Sequence, residues 1–164
     1  MNTSWEAHID QFWAQMDDTR PAEMLDQMRE LIAQRDVGDG AALFEWASIH
    51  DSLGMTRSAI ELYRHAIEAG LDHERAPQAS LQLASSLRAE GSAKECLAVL
   101  DAWEATGTDA SAVVGQAPAL VRALALHDLG LTTLGLQVAL LGLAETLPRY
   151  NRSMKAYAEG ITKH

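Results

Sequence analysis

Histidine stands directly before aspartate twice in this chain, as His50-Asp51 and as His127-Asp128. A histidine beside a carboxylate can act as a general base or hold a metal ion, provided that the groups converge in space. Neighbours on a helix point about 100° apart, so adjacency alone forms no catalytic pair. We therefore expect packing and capping roles, and keep a metal or hydrolase site shared by the two histidines as a third hypothesis.

Other signatures of catalysis are missing from the sequence. It contains no glycine-rich phosphate loop and no CxxC, HExxH or GxSxG motif. Its single cysteine, Cys96, excludes an intramolecular disulfide and is typical of a reducing compartment. Cys96 occupies a position that the aligned segments elsewhere in the chain fill with small residues, so we expect a buried, unreactive thiol. The sequence predicts no catalytic residue, no metal and no cofactor.

Composition and charge narrow the class of protein. The 164 residues are 48% hydrophobic and 22% charged, which is typical of a folded domain with a core. A net charge of −10 disfavours nucleic acid and anionic membranes as partners. The longest uncharged stretch, residues 129–144, is shorter than the roughly 18 to 20 residues of a spanning helix. The N-terminus carries acids where a secretory signal carries Lys or Arg, so we expect a cytoplasmic protein.

Hydrophobic periodicity predicts about nine helices and no strand. Residues 1–36 form an N-terminal helical pair, with Pro21 opening its second helix. Three helical pairs follow over residues 40–146, and each has a glycine in the middle. Residues 147–162 form a capping helix that Pro148 opens. The three central glycines are Gly54, Gly91 and Gly130.

Other columns appear when the three pairs are aligned on these glycines. Seven residues before each glycine stands an alanine, and five residues after it stands another small residue. Two antiparallel helices approach closely only if the residues at their crossing are small. The glycine itself ends the first helix in a left-handed conformation. The pattern therefore predicts repeated helical hairpins. The small residues are Ala47, Ala84 and Ala123 before the glycine, and Ala59, Cys96 and Gly135 after it.

The clearest unit is "ALFEWASIHDSLGMTRSAIELYRHAIEAGL" at residues 42–71. Its small and bulky positions resemble those of the tetratricopeptide repeat. Together with "LASSLR", "LHDLG" and "LPRYNRSMKAYAE", the pattern resembles the bacterial tetratrico peptide repeat group 5 over roughly residues 40–160. The resemblance implies one all-α domain over residues 1–164, with helix pairs stacked as a short right-handed solenoid. It also implies an interaction role without an assigned activity.

The resemblance further implies a concave groove lined by the first helix of each pair. Asp51, Arg88 and His127 share a column three residues before each glycine, which predicts a polar strip. Arg88 is either a fixed cation for a charged peptide or the partner of Asp51 in a solvated ion pair. The candidate groove residues are Phe44, Ser48, Asp51, Gln78, Gln82, Ser85, Arg88, Leu124, His127 and Asp128.

The C-terminal region carries a second signal, because residues 129–144 are apolar nearly all round. We expect this helix to be covered by the capping helix, whose apolar side chains face inward while its basic side chains face water. The inward residues are Leu147, Tyr150, Met154, Tyr157 and Ile161, and the outward residues are Arg149, Arg152 and Lys155. Any apolar surface left open predicts self-association. The acidic first helix is also able to pair with the basic last helix of another copy.

Two function classes follow from these patterns. The leading hypothesis is a non-enzymatic scaffold or adaptor that binds a protein or peptide segment in the concave groove. The alternative is a structural or regulatory subunit that forms a homodimer, or docks on another protein, through its apolar C-terminal helices.

Overall fold

The computed structural model describes residues 3–161, with side chains from Trp5 onward. Over that range the chain forms ten α-helices and no strand, which confirms the all-α prediction. The helix beyond the expected nine is α7, a single turn in the connection between the second and third pairs. The helices are α1 (Thr3–Ala14), α2 (Pro21–Ile32), α3 (Gly40–Ser52), α4 (Thr56–Ala69), α5 (Arg75–Ala89), α6 (Ala93–Glu104), α7 (Ser111–Val114), α8 (Ala117–Asp128), α9 (Thr132–Thr146) and α10 (Asn151–Gly160).

The helices group into two compact units. The first unit ends at Ala79 and the second begins at Ser80, so the division falls within α5. The first unit holds α1 to α4 with the start of α5, and the second holds the rest of α5 through α10. A single domain over residues 1–164 stays a prediction.

Each repeat turns at its glycine in the same way. Gly54, Gly91 and Gly130 have φ values of 75°, 84° and 77°, a left-handed region that favours glycine. In the first repeat the Gly54 amide donates to the Asp51 carbonyl at 2.9 Å, and the Met55 amide donates to the His50 carbonyl at 2.8 Å. The same two bonds recur around the other two glycines. This Schellman arrangement satisfies the last carbonyls of the first helix and fixes where the second helix starts.

Small residues occupy the helix crossings, as predicted. In the first unit Ala47 and Ala59 have no exposed surface. In the second unit Ala84 and Cys96 are equally buried. A bulky residue in these columns would hold the two helices of the hairpin apart.

In the second unit α8 and α9 approach each other closely. A Cβ atom added to Gly135 would lie 2.7 Å from the carbonyl oxygen of Ala123, and one added to Gly142 would lie 2.9 Å from the Ala119 Cβ. Both distances are shorter than normal van der Waals contact. The backbones of this hairpin therefore touch, and no side chain fits between them.

The core of the first unit joins the N-terminal pair to the first repeat. The Trp5 indole donates to the Leu31 carbonyl at 2.9 Å, which ties α1 to α2. Ile49 of α3 packs against both helices and is fully buried. The buried members of this cluster are Trp5, Ile9, Phe12, Met24, Met28 and Ile49.

Arg75 of α5 forms ion pairs with acidic residues of α1 and α3 next to this core. Arg75 is only 12% exposed, and its guanidinium lies 2.5 Å from Glu6 of α1, 3.2 Å from Glu45 of α3 and 2.8 Å from Asp72. Glu45 is almost fully buried and accepts a 2.8 Å hydrogen bond from the Trp13 indole. Burial raises the pKa of Glu45, and the Trp13 hydrogen bond and the Arg75 charge offset that rise only in part.

The C-terminal helix differs from its prediction. Leu147 is extended because it precedes Pro148, and Tyr150 takes a left-handed φ of 68°, so α10 begins only at Asn151. Tyr150 and Tyr157 are 74% and 70% exposed, and Met154 is also exposed, so their predicted inward orientation is wrong. The late start turns a different face inward: Ala158 is buried, and the Gln137 amide donates to its carbonyl at 3.2 Å. The exposed positions predicted for Arg149 and Arg152 are correct.

We predict that Gly135→Ala destabilises the protein by about 1–3 kcal/mol, because the new methyl group collides with the Ala123 carbonyl. Helix propensity alone would stabilise the variant by about 1 kcal/mol. The control is Gly160→Ala, where nothing lies within 4 Å of the added Cβ. Urea unfolding measures both, and an equally stable or more stable Gly135→Ala variant would contradict the close crossing.

We predict that Arg75→Met costs about 3–5 kcal/mol at pH 7, because Glu45 loses its cation while it stays buried. The folded-state pKa of Glu45 then rises further above its unfolded value, so the variant loses stability as pH rises through that pKa. The difference from wild type should shrink toward pH 4 in urea unfolding. Arg64→Met, which breaks the exposed pair with Glu61, is the control and should cost less than about 1 kcal/mol.

Candidate functional site

In the first unit the predicted groove residues are largely engaged with one another. Phe44 is buried, and its ring centroid lies 6.1 Å from that of Tyr63. The Tyr63 hydroxyl donates to Ser48 Oγ at 3.4 Å, and Ser48 Oγ donates to the Phe44 carbonyl at 2.9 Å. Burial raises the pKa of Tyr63, so the phenol stays protonated and able to donate. Phe44 is buried and Asp51 is half-buried, so both offer a partner less surface than their groove positions predict.

The predicted residues on α5 differ in how freely they face water. The Gln78 side-chain amide is half-buried and donates to the Glu74 carbonyl at 2.9 Å. Gln82 and Ser85, which belong to the second unit, are exposed. Since Gln82 and Ser85 lie three residues apart, they share one face of α5. This face ends at Arg88, three residues further along.

The second unit joins Arg88 to Asp128 of α8. Arg88 Nε lies 2.7 Å from Asp128 Oδ2, but its N–H is not aligned with that oxygen. Nη2 donates to Oδ1 at 3.4 Å, so the contact is mainly ionic. His127 stands next to this pair in the sequence and is exposed. The strip on this unit is therefore an ion pair with an exposed imidazole on the neighbouring residue.

Exposed leucines continue from α8 onto α9. Leu120 and Leu124 of α8 are 58% and 38% exposed, while Leu136 and Leu143 of α9 are 51% and 57% exposed. Leu120 and Leu143 line one open cleft of about 310 Å³. Leu124 and Leu136 lie one and two helical turns away from them, so the spacing places all four on one side of the hairpin. No charged residue lines the cleft; its other residues are Gln116, Ala117, Ala119, Ala139, Gly142 and Thr146. We call the four leucines the leucine surface.

Of the candidate residues for chemistry, His50 and Cys96 serve as packing groups, whereas His127 is exposed. His50 Nδ1 lies 2.7 Å from the Trp46 carbonyl, and the two rings meet edge to face at 4.4 Å. Cys96 is buried, as predicted, and burial raises the pKa of its thiol. Within residues 3–161 no group of three or more His, Cys, Asp or Glu side chains is placed to hold a metal ion.

Comparison with protein families identifies the repeat. The family model of the Tetratrico peptide repeat matches residues 40–161, about three quarters of the chain. The chain belongs to this family. The prediction of the group 5 repeat is thereby confirmed, and the matched range covers α3 to α10. Proteins of the family generally mediate protein–protein interactions and are typically non-enzymatic scaffolds.

Searches among curated proteins and among solved structures found no match. The N-terminal pair, α1 and α2, lies outside the range that the family matches. None of the helices within residues 3–161 has both the length and the apolar character that crossing a bilayer requires.

Two features of the site were not predicted from the sequence. One is the partner that Arg88 has within its own unit, Asp128, which stands forty residues away in the sequence. The other is the continuation of the leucine surface onto α9. The sequence did contain a signal for this continuation. Leu120 stands ten residues before Gly130 and Leu143 thirteen after it, and such residues lie near each other in a hairpin that turns at Gly130.

We predict that the Arg88–Asp128 pair contributes little to stability, about 0.2–1 kcal/mol, because its side chains are 30% and 35% exposed. A double-mutant cycle with Arg88→Ala and Asp128→Ala, measured by urea unfolding, gives this coupling energy. Adding 1 M NaCl should reduce the coupling energy. A value above about 2 kcal/mol would show that the pair holds the fold and is not available to a partner.

Proposed function

We propose that the protein is a non-enzymatic adaptor that binds a segment of a partner protein on the second unit, at the exposed faces of α5 and α8. The binding residues on this face are Gln82, Ser85, Arg88, Leu120, Leu124, His127 and Asp128. Apolar side chains of the partner contact the leucines, and polar groups of the partner contact the end that carries Arg88 and His127.

The observation that carries this proposal is the exposure of Leu120 and Leu124. Both lie on the first helix of the third repeat, the kind of helix that the family uses to contact partners. Ala123 and Leu126 on the same helix are buried, so α8 has a satisfied inner face and still exposes two leucines. An isolated exposed leucine is ordinary, but four that share one side of a hairpin are typical of an interaction surface.

Arg88 and Asp128 supply the polar end of this face. Because each already neutralises the other, a partner that engages both keeps the charges balanced. Arg88 is therefore not a free cation that requires a carboxylate from the partner. We therefore expect a partner segment with apolar side chains and a dipolar or zwitterionic contact, in preference to one that is strongly acidic.

A second candidate function is supported by Leu136 and Leu143. These leucines lie on α9, the second helix of the repeat, and extend the apolar surface away from α5. In this alternative the protein is a structural or regulatory subunit, and it binds another protein or another copy of itself through the leucine surface.

We predict that affinity capture from the native-host lysate separates the two functions. If the adaptor proposal is correct, the wild type captures a partner protein that mass spectrometry can quantify. The captured amount should fall more than tenfold for Gln82→Ala/Arg88→Ala and also for Leu120→Ser/Leu124→Ser. The subunit alternative expects the loss with Leu120→Ser/Leu124→Ser and with Leu136→Ser/Leu143→Ser, but not with Gln82→Ala/Arg88→Ala.

The control is Gln34→Ala/Arg64→Ala on the first unit, which changes the same residue types away from the proposed face. Every variant is first checked for an unfolding midpoint close to that of wild type. Capture of the same proteins by all variants would overturn the adaptor proposal.

A further inference from the structure

The two ends of the chain carry opposite charge. Residues 1–36 contain eight acidic and three basic residues, whereas residues 147–164 contain four basic and one acidic residue. The whole chain is strongly acidic, so the basic C-terminal segment is its exception. Whether these charges are available depends on the ion pairs that they already form.

At the N-terminal end most charged side chains already form ion pairs within the chain. Arg20 pairs with Asp17 and Glu23, and Arg29 pairs with Asp26. Within residues 3–161, Asp10 and Asp18 are exposed and have no ion-pair partner. The helix α1 contains no lysine or arginine, so no cation on it opposes a basic partner.

At the C-terminal end two arginines are exposed. Lys155 pairs with Glu145, but Arg149 and Arg152 have no ion-pair partner in the described part of the chain. Tyr150 stands between them in the sequence and is the most exposed aromatic side chain described in the second unit. Tyrosine and arginine are both enriched in protein interfaces, since each offers apolar contact area together with a polar group. We call Arg149, Tyr150 and Arg152 the basic-aromatic surface.

We propose that the basic-aromatic surface of one copy docks on α1 and the turn after it in a second copy, where Asp10 and Asp18 receive the two arginines. The helix α2 is a poorer partner, because two of its three acidic side chains, Glu23 and Asp26, are neutralised by Arg20 and Arg29. The exposed face of α1 also offers small and amide side chains, among them Ala7 and Gln11, on which the tyrosine ring can lie.

This contact joins unlike ends, so it is heterologous. After pairing, one copy keeps a free acidic end and the other keeps a free basic end, so association continues as a ring or an open chain. Exposed ion pairs are individually weak and are screened by salt, so the assembly should be concentration-dependent and should dissociate at high ionic strength. The proposal concerns self-assembly and uses none of the residues assigned above to partner binding.

Charge reversal gives the decisive test, by sedimentation velocity of the full chain at 50 mM and 500 mM NaCl. Wild type should associate at 50 mM and dissociate at 500 mM. Arg149→Glu/Arg152→Glu and Asp10→Lys/Asp18→Lys should each weaken association at least tenfold when alone. An equimolar mixture of the two variants should associate again at 50 mM, because the reversed ends complement each other and the unreversed ends still fit.

The matched controls are Lys94→Glu on α6 and Glu68→Lys on α4, which change exposed charges elsewhere and should leave association unchanged. Circular dichroism confirms that each variant is folded before sedimentation. A wild type that stays monomeric at 50 mM, or a mixture that does not recover association, would overturn the proposal. Salt-dependent binding of the arginines to anionic vesicles or to RNA, without self-association, would overturn it in favour of that other class of ligand.

Discussion

The structure depends on how closely the two helices of each hairpin approach. Alanine, cysteine and glycine at the crossings allow near contact of backbones, as where Gly135 of α9 meets the carbonyl of Ala123 on α8. Such a crossing requires that the turn between the helices be placed to within a residue, and the left-handed glycine provides this in every repeat. The Schellman hydrogen bonds use the carbonyls of Asp51, Arg88 and His127, so the polar column of the sequence is also part of the turn.

Close crossing also decides where the large side chains go. At the points of closest approach the interior of this hairpin is filled by backbone and methyl groups, and of the leucines on α8 only Leu126 is buried. Leu120, Leu124, Leu136 and Leu143 therefore lie on the outer side of α8 and α9, where they form the leucine surface. The interaction surface that we propose is thus a consequence of the same small residues that hold the hairpin together.

The predictions that succeeded rest on local rules. A glycine between two amphipathic stretches, with small residues at fixed distances, specifies a helical hairpin from sequence alone, and α3 with α4 and α8 with α9 are such hairpins. The predictions that failed depend on contacts between distant residues. The rotation of α10 is set by the extended Leu147 and the left-handed Tyr150, and nothing in the pattern of residues 147–162 revealed that Tyr157 would face water. The cluster around Arg75 brings together residues from three parts of the chain, and in the sequence its charged residues cannot be told from ordinary surface residues.

That cluster has a consequence for how the molecule is divided. Arg75 lies inside the range shared with the family, yet one of its carboxylate partners, Glu6, lies outside it, and the fully buried Ile49 is covered by α1 and α2. A chain cut at residue 40 would leave Ile49 open to water and Arg75 short of a partner. The boundary of sequence similarity is therefore not a boundary of the buried core, because the N-terminal pair and the first repeat share one cluster of buried residues.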